Sequence, residues 1–430
     1  MSNQYSVRDV SAELKRRTGH ALAETQAAVP ARPSGISGAD RVTEDELVAL
    51  ALSNNSAFRE TLADLELSRA DLVQAGMVPN PTLWMLFPAG IKPVELLLRY
   101  PIEVFWLRSR RIESAQLEVQ RVAQQLVQNG LDVIRDVRLA SADLALARER
   151  VELGGKSARL ADNIAELTGL VMRDGDATEL DVSNARVDAL QAEEQLGRWR
   201  SEAEIARERL RTLAGLGLEH WPERVEPGPL PLSEPPAPDS LVKEALASRP
   251  DLRAAEIRLE SSGERIGLAK AEVFTFTAIL STKPINIHGP ALSGPGLDIT
   301  LPIFNQNQGG IAQARARLEK DARYYNTLRD RVVLEVREAL AKMNQARKSH
   351  QQWQDQILPP LAAAVRYAEK AYTAGNVSYL FVLETQRKWL DIRLKAASAA
   401  ADLRRARAEL ERGIGRNLDY SNPRSKVSSS

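Results

Sequence analysis

Apolar residues return every seventh position along two stretches of this chain. Ile112, Val119, Leu126, Val133 and Ala140 form one series, and Ile311, Leu318, Tyr325, Val332 and Ala339 form another, displaced by 199 residues. A seven-residue apolar period belongs to helices packed as coiled coils. The spacing therefore predicts long helices over about 108–173 and 309–373, each reaching roughly 95 Å at 1.5 Å per residue. Both end at a Gly-Asx break, after which helices are expected over about 177–214 and 377–413. Helical patterns also precede them, at about 43–77 and 238–272. Between helices the period changes to two. Leu297-Asp298-Ile299-Thr300-Leu301 and Phe274-Thr275-Phe276-Thr277 alternate apolar with polar residues, as strands with one apolar face do. Strand pairs are expected at about 80–106 and 273–304.

The pattern occurs twice. Asp174-Gly175-Asp176-Ala177-Thr178-Glu179-Leu180-Asp181-Val182 returns 200 residues later as Ala374-Gly375-Asn376-Val377-Ser378-Tyr379-Leu380-Phe381-Val382. Glu46-Leu47-Val48-x-x-Ala51-Leu52 returns as Ser240-Leu241-Val242-x-x-Ala245-Leu246, a shift of 194. An internal duplication follows. It comprises an N-terminal extension (1–42), repeat 1 (43–216), a Pro-rich linker (217–238), repeat 2 (239–415) and a polar tail (416–430).

Composition favours thin helical walls over a compact enzyme, since aromatics are 5% and charged residues 27% of 430 residues. A net charge of +1 without a basic stripe gives no reason to expect nucleic acid. Cysteine is absent, which permits an oxidising compartment and leaves no thiol for lipidation. The uncharged stretch Leu72–Ile91 is long enough to span a bilayer. Gly76, Pro79, Pro81, Pro88 and Gly90 interrupt it, so a helical span is not expected. Residues 1–42 show no apolar secretory core after Lys15, Arg16 and Arg17.

Trp84, Phe87, Tyr100, Phe105, Trp106, Phe274, Phe276 and Phe304 concentrate the aromatics in the strand regions. They suit the core of a small soluble sheet or the lipid face and girdle of a membrane barrel. Four strands per chain close a barrel only if several chains pool them.

Order, duplication, the twin Gly breaks, and Leu301-Pro302-Ile303-Phe304 before Gly309-Gly310-Ile311-x-x-Ala314 resemble the outer-membrane efflux protein family of the TolC type. The resemblance covers about 43–415. It implies a mainly α fold with a small β part, whose long hairpins form a coiled-coil α-barrel. Four strands per chain would enter a trimeric twelve-stranded β-barrel in outer-membrane lipid, with the helices extending into the periplasm. The implied partners are two further copies of the chain, a periplasmic adaptor and an inner-membrane transporter. The linker would help build a belt around the tunnel. The short segment Thr82–Phe87 must recruit neighbours to span, with Pro79, Pro81 and Pro88 at the rims.

At the breaks, Gly175 and Gly375 would adopt the left-handed conformation that ends a helix. Asp176 or Asn376 would cap the next helix, with Asp176-x-x-Glu179 as a capping box. The resemblance makes these four residues adaptor-docking tips, six hairpins in a trimer. It also assigns Asp181, Tyr372 and Glu384 to the pore constriction, with Val377 where the family carries a basic partner and Phe381 at a second acidic position. Each could equally be an exposed side chain on a solvated helix.

Elsewhere no catalytic, nucleotide, cofactor or metal pattern emerges. His20, His220, His288 and His350 are scattered and read as surface residues, and the methionines do not cluster. The expected function is a non-enzymatic exit duct for small molecules or ions. The alternative is a soluble coiled-coil scaffold in which the strands cap a helical bundle.

Overall fold

The structure is a computed structural model and describes residues 5–22, 41–87, 94–217, 221–222, 224–284 and 289–418. Pro88, Gly90, His220, His288, residues 23–40 of the extension and residues 419–430 of the tail lie outside these. The elements run α1 (Val7–Thr18), β1 (Arg41–Thr43), α2 (Glu44–Asn54), α3 (Ser56–Gly76), β2 (Thr82–Leu86), β3 (Glu95–Pro101), α4 (Val104–Arg173) and α5 (Glu179–Leu213). There follow β4 (Arg224–Glu226), α6 (Pro238–Ser248), α7 (Pro250–Ala271), β5 (Phe276–Pro284), β6 (Ala291–Ile299) and α8 (Gln308–Gln351). A π-helical turn (Gln352–Ile357), α9 (Leu358–Thr373) and α10 (Tyr379–Ile414) complete the chain. From α2 to α5, and again from α6 to α10, two helices lead to two strands, a long helix and its hairpin partner.

Three expected helices are interrupted, each for a local reason. The first breaks at Asn55, whose Oδ1 accepts from the Phe58 amide (2.9 Å) while its Nδ2 donates to the Leu213 carbonyl (2.9 Å). One side chain thus caps α3 and satisfies an orphan carbonyl at the end of α5. The second breaks at Arg249, which is held extended (φ −62°, ψ 128°) by Pro250 at the first position of α7. The third passes through the π turn, because Pro359 and Pro360 cannot donate and crowd the preceding turn.

The chain forms two compact units, each drawing on both halves of the sequence. One contains Glu60–Val127 and Arg249–Arg331. Its sheet is antiparallel throughout, in the order β2-β3-β5-β6, with β2 and β6 as edges. Thr82 pairs with Arg99, Leu98 with Leu280, and Leu280 with Pro295. In the same unit, buried Asp321 of α8 accepts from Ser262 of α7 and pairs with Arg258 (2.7 Å).

The other unit contains Ser11–Arg59, Gln128–Ser248 and the chain from Val332 onward. Leu241 and Ala245 of α6, Val332, Val336 and Met343 of α8, and Leu403, Leu410 and Ile414 of α10 form its main core. Alanines at Ala397 and Ala401 let α10 approach Leu146 of α4. Helix α1 is unannounced by the sequence pattern. Leu14 occupies the space left by Gly130, where a Cβ would lie 2.8 Å from its methyls, and the Asn417 amide donates to Arg17 (3.0 Å). A short parallel pair, β1 with β4, sets Val42 beside Val225.

Candidate functional site

The sheet presents two chemically distinct faces. Register places Leu83, Met85, Leu96, Leu98, Tyr100, Phe276, Ala278, Leu280, Pro295, Leu297 and Ile299 on one side. A single hydroxyl pair interrupts that face, Thr282 with Ser293 at 2.9 Å. The opposite side carries all four charges of the strands, Glu95, Arg99, Lys283 and Asp298, with Thr82, Thr277, Ser281, Gly294 and Gly296, and also the apolar Trp84, Leu86, Leu97, Ile279 and Leu292. Leu83, Met85, Leu98, Leu280, Leu297 and Ile299 all remain exposed within the chain. An exposed apolar surface this continuous marks a contact with lipid or protein. On the polar side Arg99 pairs with Asp298 and stands over Trp84, 5.6 Å from the ring centroid. No described helix is long and apolar enough to cross a membrane.

The hairpin tips are near-copies of each other. Gly175 (φ +89°) and Gly375 (φ +75°) both occupy the left-handed region. The Gly175 amide donates to Met172 (3.0 Å) and the Asp176 amide to Val171 (3.1 Å); the Gly375 amide donates to Tyr372 and the Asn376 amide to Ala371, both at 2.9 Å. These are Schellman closures of α4 and α9. The capping assignment needs correction. Thr178, not Asp176, caps α5: its hydroxyl accepts from the Asp181 amide while Asp181 Oδ2 accepts from the Thr178 amide (2.9 Å) and hydroxyl (2.6 Å). Ser378, not Asn376, caps α10 by accepting from the Phe381 amide (3.3 Å). Two linking residues separate each glycine from the cap, so the boxes begin later than the Asx residues suggest. Gly175, Asp176, Gly375 and Asn376 are all exposed.

Asp181 therefore has a local role. The Thr178 hydroxyl, then its amide, hold the Asp181 carboxyl below the usual carboxylate value. Tyr372 packs on Tyr379 with ring centroids 5.2 Å apart. Within one chain no hydrogen bond joins Asp181 to Tyr372 among the described residues, and Glu384 is exposed on α10. The two hairpins are joined by other residues. Leu153, Leu160 and Ile164 of α4 pack with Leu383 and Leu390 of α10, and Arg387 of α10 donates to Asp188 of α5 at 2.8 Å. That ion pair is the contact the sequence reading missed. Its partners stand 199 positions apart, the repeat spacing itself.

A second charged cluster lines a cavity of about 410 Å³ between α2, α4, α10 and the linker. Arg138 pairs with Glu411 and lies 3.8 Å from Glu44. Arg407 meets Glu411 at 2.9 Å, and Glu44 accepts from the Gly228 amide at 3.2 Å. Burial pushes the Glu44 carboxyl above its ordinary value, against the pull of Arg138 and Gly228. A hydrogen bond from His20 lowers that of Asp45. The histidines at 20 and 350 are not the surface residues expected. His20 lies 3.4 Å from Asp45 with little exposure, and His350 is buried, which lowers its pKa with Arg404 adding repulsion.

Two helical hairpins and a two-faced four-stranded sheet in one chain define an outer-membrane-channel fold. It matches the crystal structure of the MtrE outer membrane channel of Neisseria gonorrhoeae with a TM-score of 0.71, at 20% identity, over 88% of this chain and 90% of that one. Residues 241–416 match the model of the outer membrane efflux protein family. The chain is 26% identical over 393 residues to the cobalt-zinc-cadmium resistance protein CzcC of Cupriavidus metallidurans, covering 90% of this chain and 93% of that protein. It is also 26% identical to the toluene efflux pump outer membrane protein TtgF of Pseudomonas putida, over 80% and 77% of the two chains.

Proposed function

We propose that the chain is the outer-membrane exit duct of a tripartite efflux system, passively conducting small molecules or ions received from an adaptor and an inner-membrane transporter. The carrying observation is the sheet. One face is apolar across all four strands apart from the Thr282–Ser293 pair, the other holds every charged residue of the strands among its mixed side chains, and β2 and β6 are the edges within the chain. Open edges are not tolerated in lipid, where every backbone group needs a partner. Three chains joined edge to edge would close twelve strands into a barrel, with the apolar face toward lipid and the polar face toward the lumen. The two sequence repeats then supply two hairpins per chain, and residues 217–238 link them.

On this reading Gly175, Asp176, Gly375 and Asn376 meet the adaptor, and Asp181, Tyr372 and Glu384 narrow the entrance between neighbouring chains. Divalent heavy-metal cations are the cargo class supported by similarity to CzcC over nearly its whole length.

Expression with an outer-membrane targeting leader tests the reading. A detergent-requiring trimer that restores zinc, cobalt or cadmium resistance to a strain lacking its own duct is the expected result. A monodisperse, detergent-free monomer of full helicity would support the scaffold alternative instead.

A further inference from the structure

We propose that Arg99 and Asp298 form a charge-compensating latch that sets the ion selectivity of the barrel. The inference rests on the barrel reading above, with the polar face turned to the lumen.

Arg99 lies in β3, and its register partner in β5 is Ile279, which in turn faces Gly296 of β6. Asp298 stands two residues further along β6 on the same face. Strands are spaced about 4.8 Å apart, so the guanidinium crosses the whole of β5 to reach the carboxylate. The diagonal runs between Ile279 and Thr277 of β5, the register partners of Arg99 and Asp298, and Gly296 opposite Ile279 places no side chain on this face. On its other side the guanidinium stands over Trp84 of β2. One side chain thus links an aromatic on one edge strand to a carboxylate on the other, which suits arginine's planar, stackable head and not lysine's. Both partners keep solvent access, with 31% and 47% of the side chains exposed.

The remaining charges of this face are Glu95 and Lys283, one step past the paired residues Leu96 and Thr282. The face therefore holds two acids and two bases. Threefold repetition would turn each into a ring, and the rings cancel. Charged rings in a pore decide the sign of the ions that pass, so removing one member of the latch unmasks the other.

Planar-bilayer recordings across a potassium chloride gradient read this directly, using the full chain as detergent-purified trimers. Arg99→Gln leaves a net excess of three negative charges in the trimer and raises the cation-to-anion permeability ratio about threefold at 0.1 M salt, where the Debye length is about 10 Å. Asp298→Asn lowers it by a similar factor. The double variant returns to the parental ratio, as does the swap Arg99→Asp with Asp298→Arg, which retains a pair should either single variant assemble poorly. Conducting channels whose ratio ignores these changes, or moves the same way in both single variants, would overturn the latch while leaving the barrel intact. Parental protein that inserts no channel would instead overturn the barrel reading on which the latch depends.

Discussion

Trp199 of α5 rests against Gly154 of α4, so closely that a Cβ on the glycine would sit 2.4 Å from ring carbon Cε3. The neighbouring Gly155 has nothing within 4 Å of the same position. Two adjacent glycines in one helix therefore answer the same substitution with opposite signs. Gly154→Ala forces the indole away and should destabilise by about 1–3 kcal/mol, as overpacking does. Gly155→Ala removes backbone entropy from the unfolded chain and should stabilise by about 0.5–1 kcal/mol. Chemical denaturation followed by tryptophan fluorescence checks both.

The tips give a second contrast. Neither Gly175 nor Gly375 has atoms near its missing Cβ, so the cost of Gly375→Val is conformational, about 1–2 kcal/mol for a left-handed residue. Deforming the tip should reduce export and adaptor cross-linking while trimer yield stays near the parental level. The same holds for Gly175→Val. Unchanged cross-linking and export in the double variant would remove these turns from the docking surface.

Asp181 has a local partner, so its substitution must be read against one that breaks only the cap. Thr178→Ala removes the hydroxyl of the box and should cost about 1 kcal/mol. If Asp181 and Tyr372 also meet across neighbouring chains, Asp181→Ala with Tyr372→Phe raises single-channel conductance and Thr178→Ala does not. Equal conductance increases in both would show that fraying of α5 opens the pore. Glu384→Ala should reduce cation preference and leave resting conductance nearly unchanged.

Glu44 carries a pH signature. Its folded pKa is raised above 4.5 by burial, so the folded state holds its proton more tightly than the unfolded chain. Stability from this group is then full below pH 4.5 and is lost as pH rises through the folded pKa. Glu44→Gln keeps an acceptor for the Gly228 amide and should abolish that loss. The stability difference between variant and parent should grow in favour of the variant just above pH 4.5 and then level off. Asp45 has the opposite sign: its folded pKa is lowered by His20, so its contribution is present above pH 3.8 and fades as pH falls through the folded value. Denaturation midpoints across this range separate the two.

Much of this was legible because period and punctuation are local properties. The seven-residue series placed α4 and the start of α8 within a few residues, though not the π turn that ends α8 at Gln351, and Gly175 and Gly375 marked both turns with their backbone conformation. Val119, Leu126, Ala140, Val332 and Ala339 are buried as the series requires, whereas Ile112, Val133, Ile311, Leu318 and Tyr325 are half-buried. The interruptions were harder to read. Asn55 breaks a helix by bonding to Leu213, a partner 158 positions away that no window reveals. The cap at Thr178 competes with an equally plausible Asp176, and only the turn geometry selects between them. The alternation was read only where β5 begins, at Phe276-Thr277, and where β6 ends, at Leu297–Ile299, and the pairing of Arg99 with Asp298 needs the register of three strands. Asp188 with Arg387 likewise depends on how two hairpins pack.

Membrane placement of the sheet is the central claim, and the chain's lack of cysteine makes it directly measurable. Single cysteines at Leu83, Leu98, Leu280 and Leu297 would sample the apolar face, and at Thr277, Ser281 and Gly294 the polar one. A water-soluble maleimide applied to protein in the outer membrane should label the second group and spare the first. Labelling should therefore alternate along β5 and β6 with period two. Equal labelling of both faces in membranes would contradict a barrel wall and return the sheet to the soluble alternative.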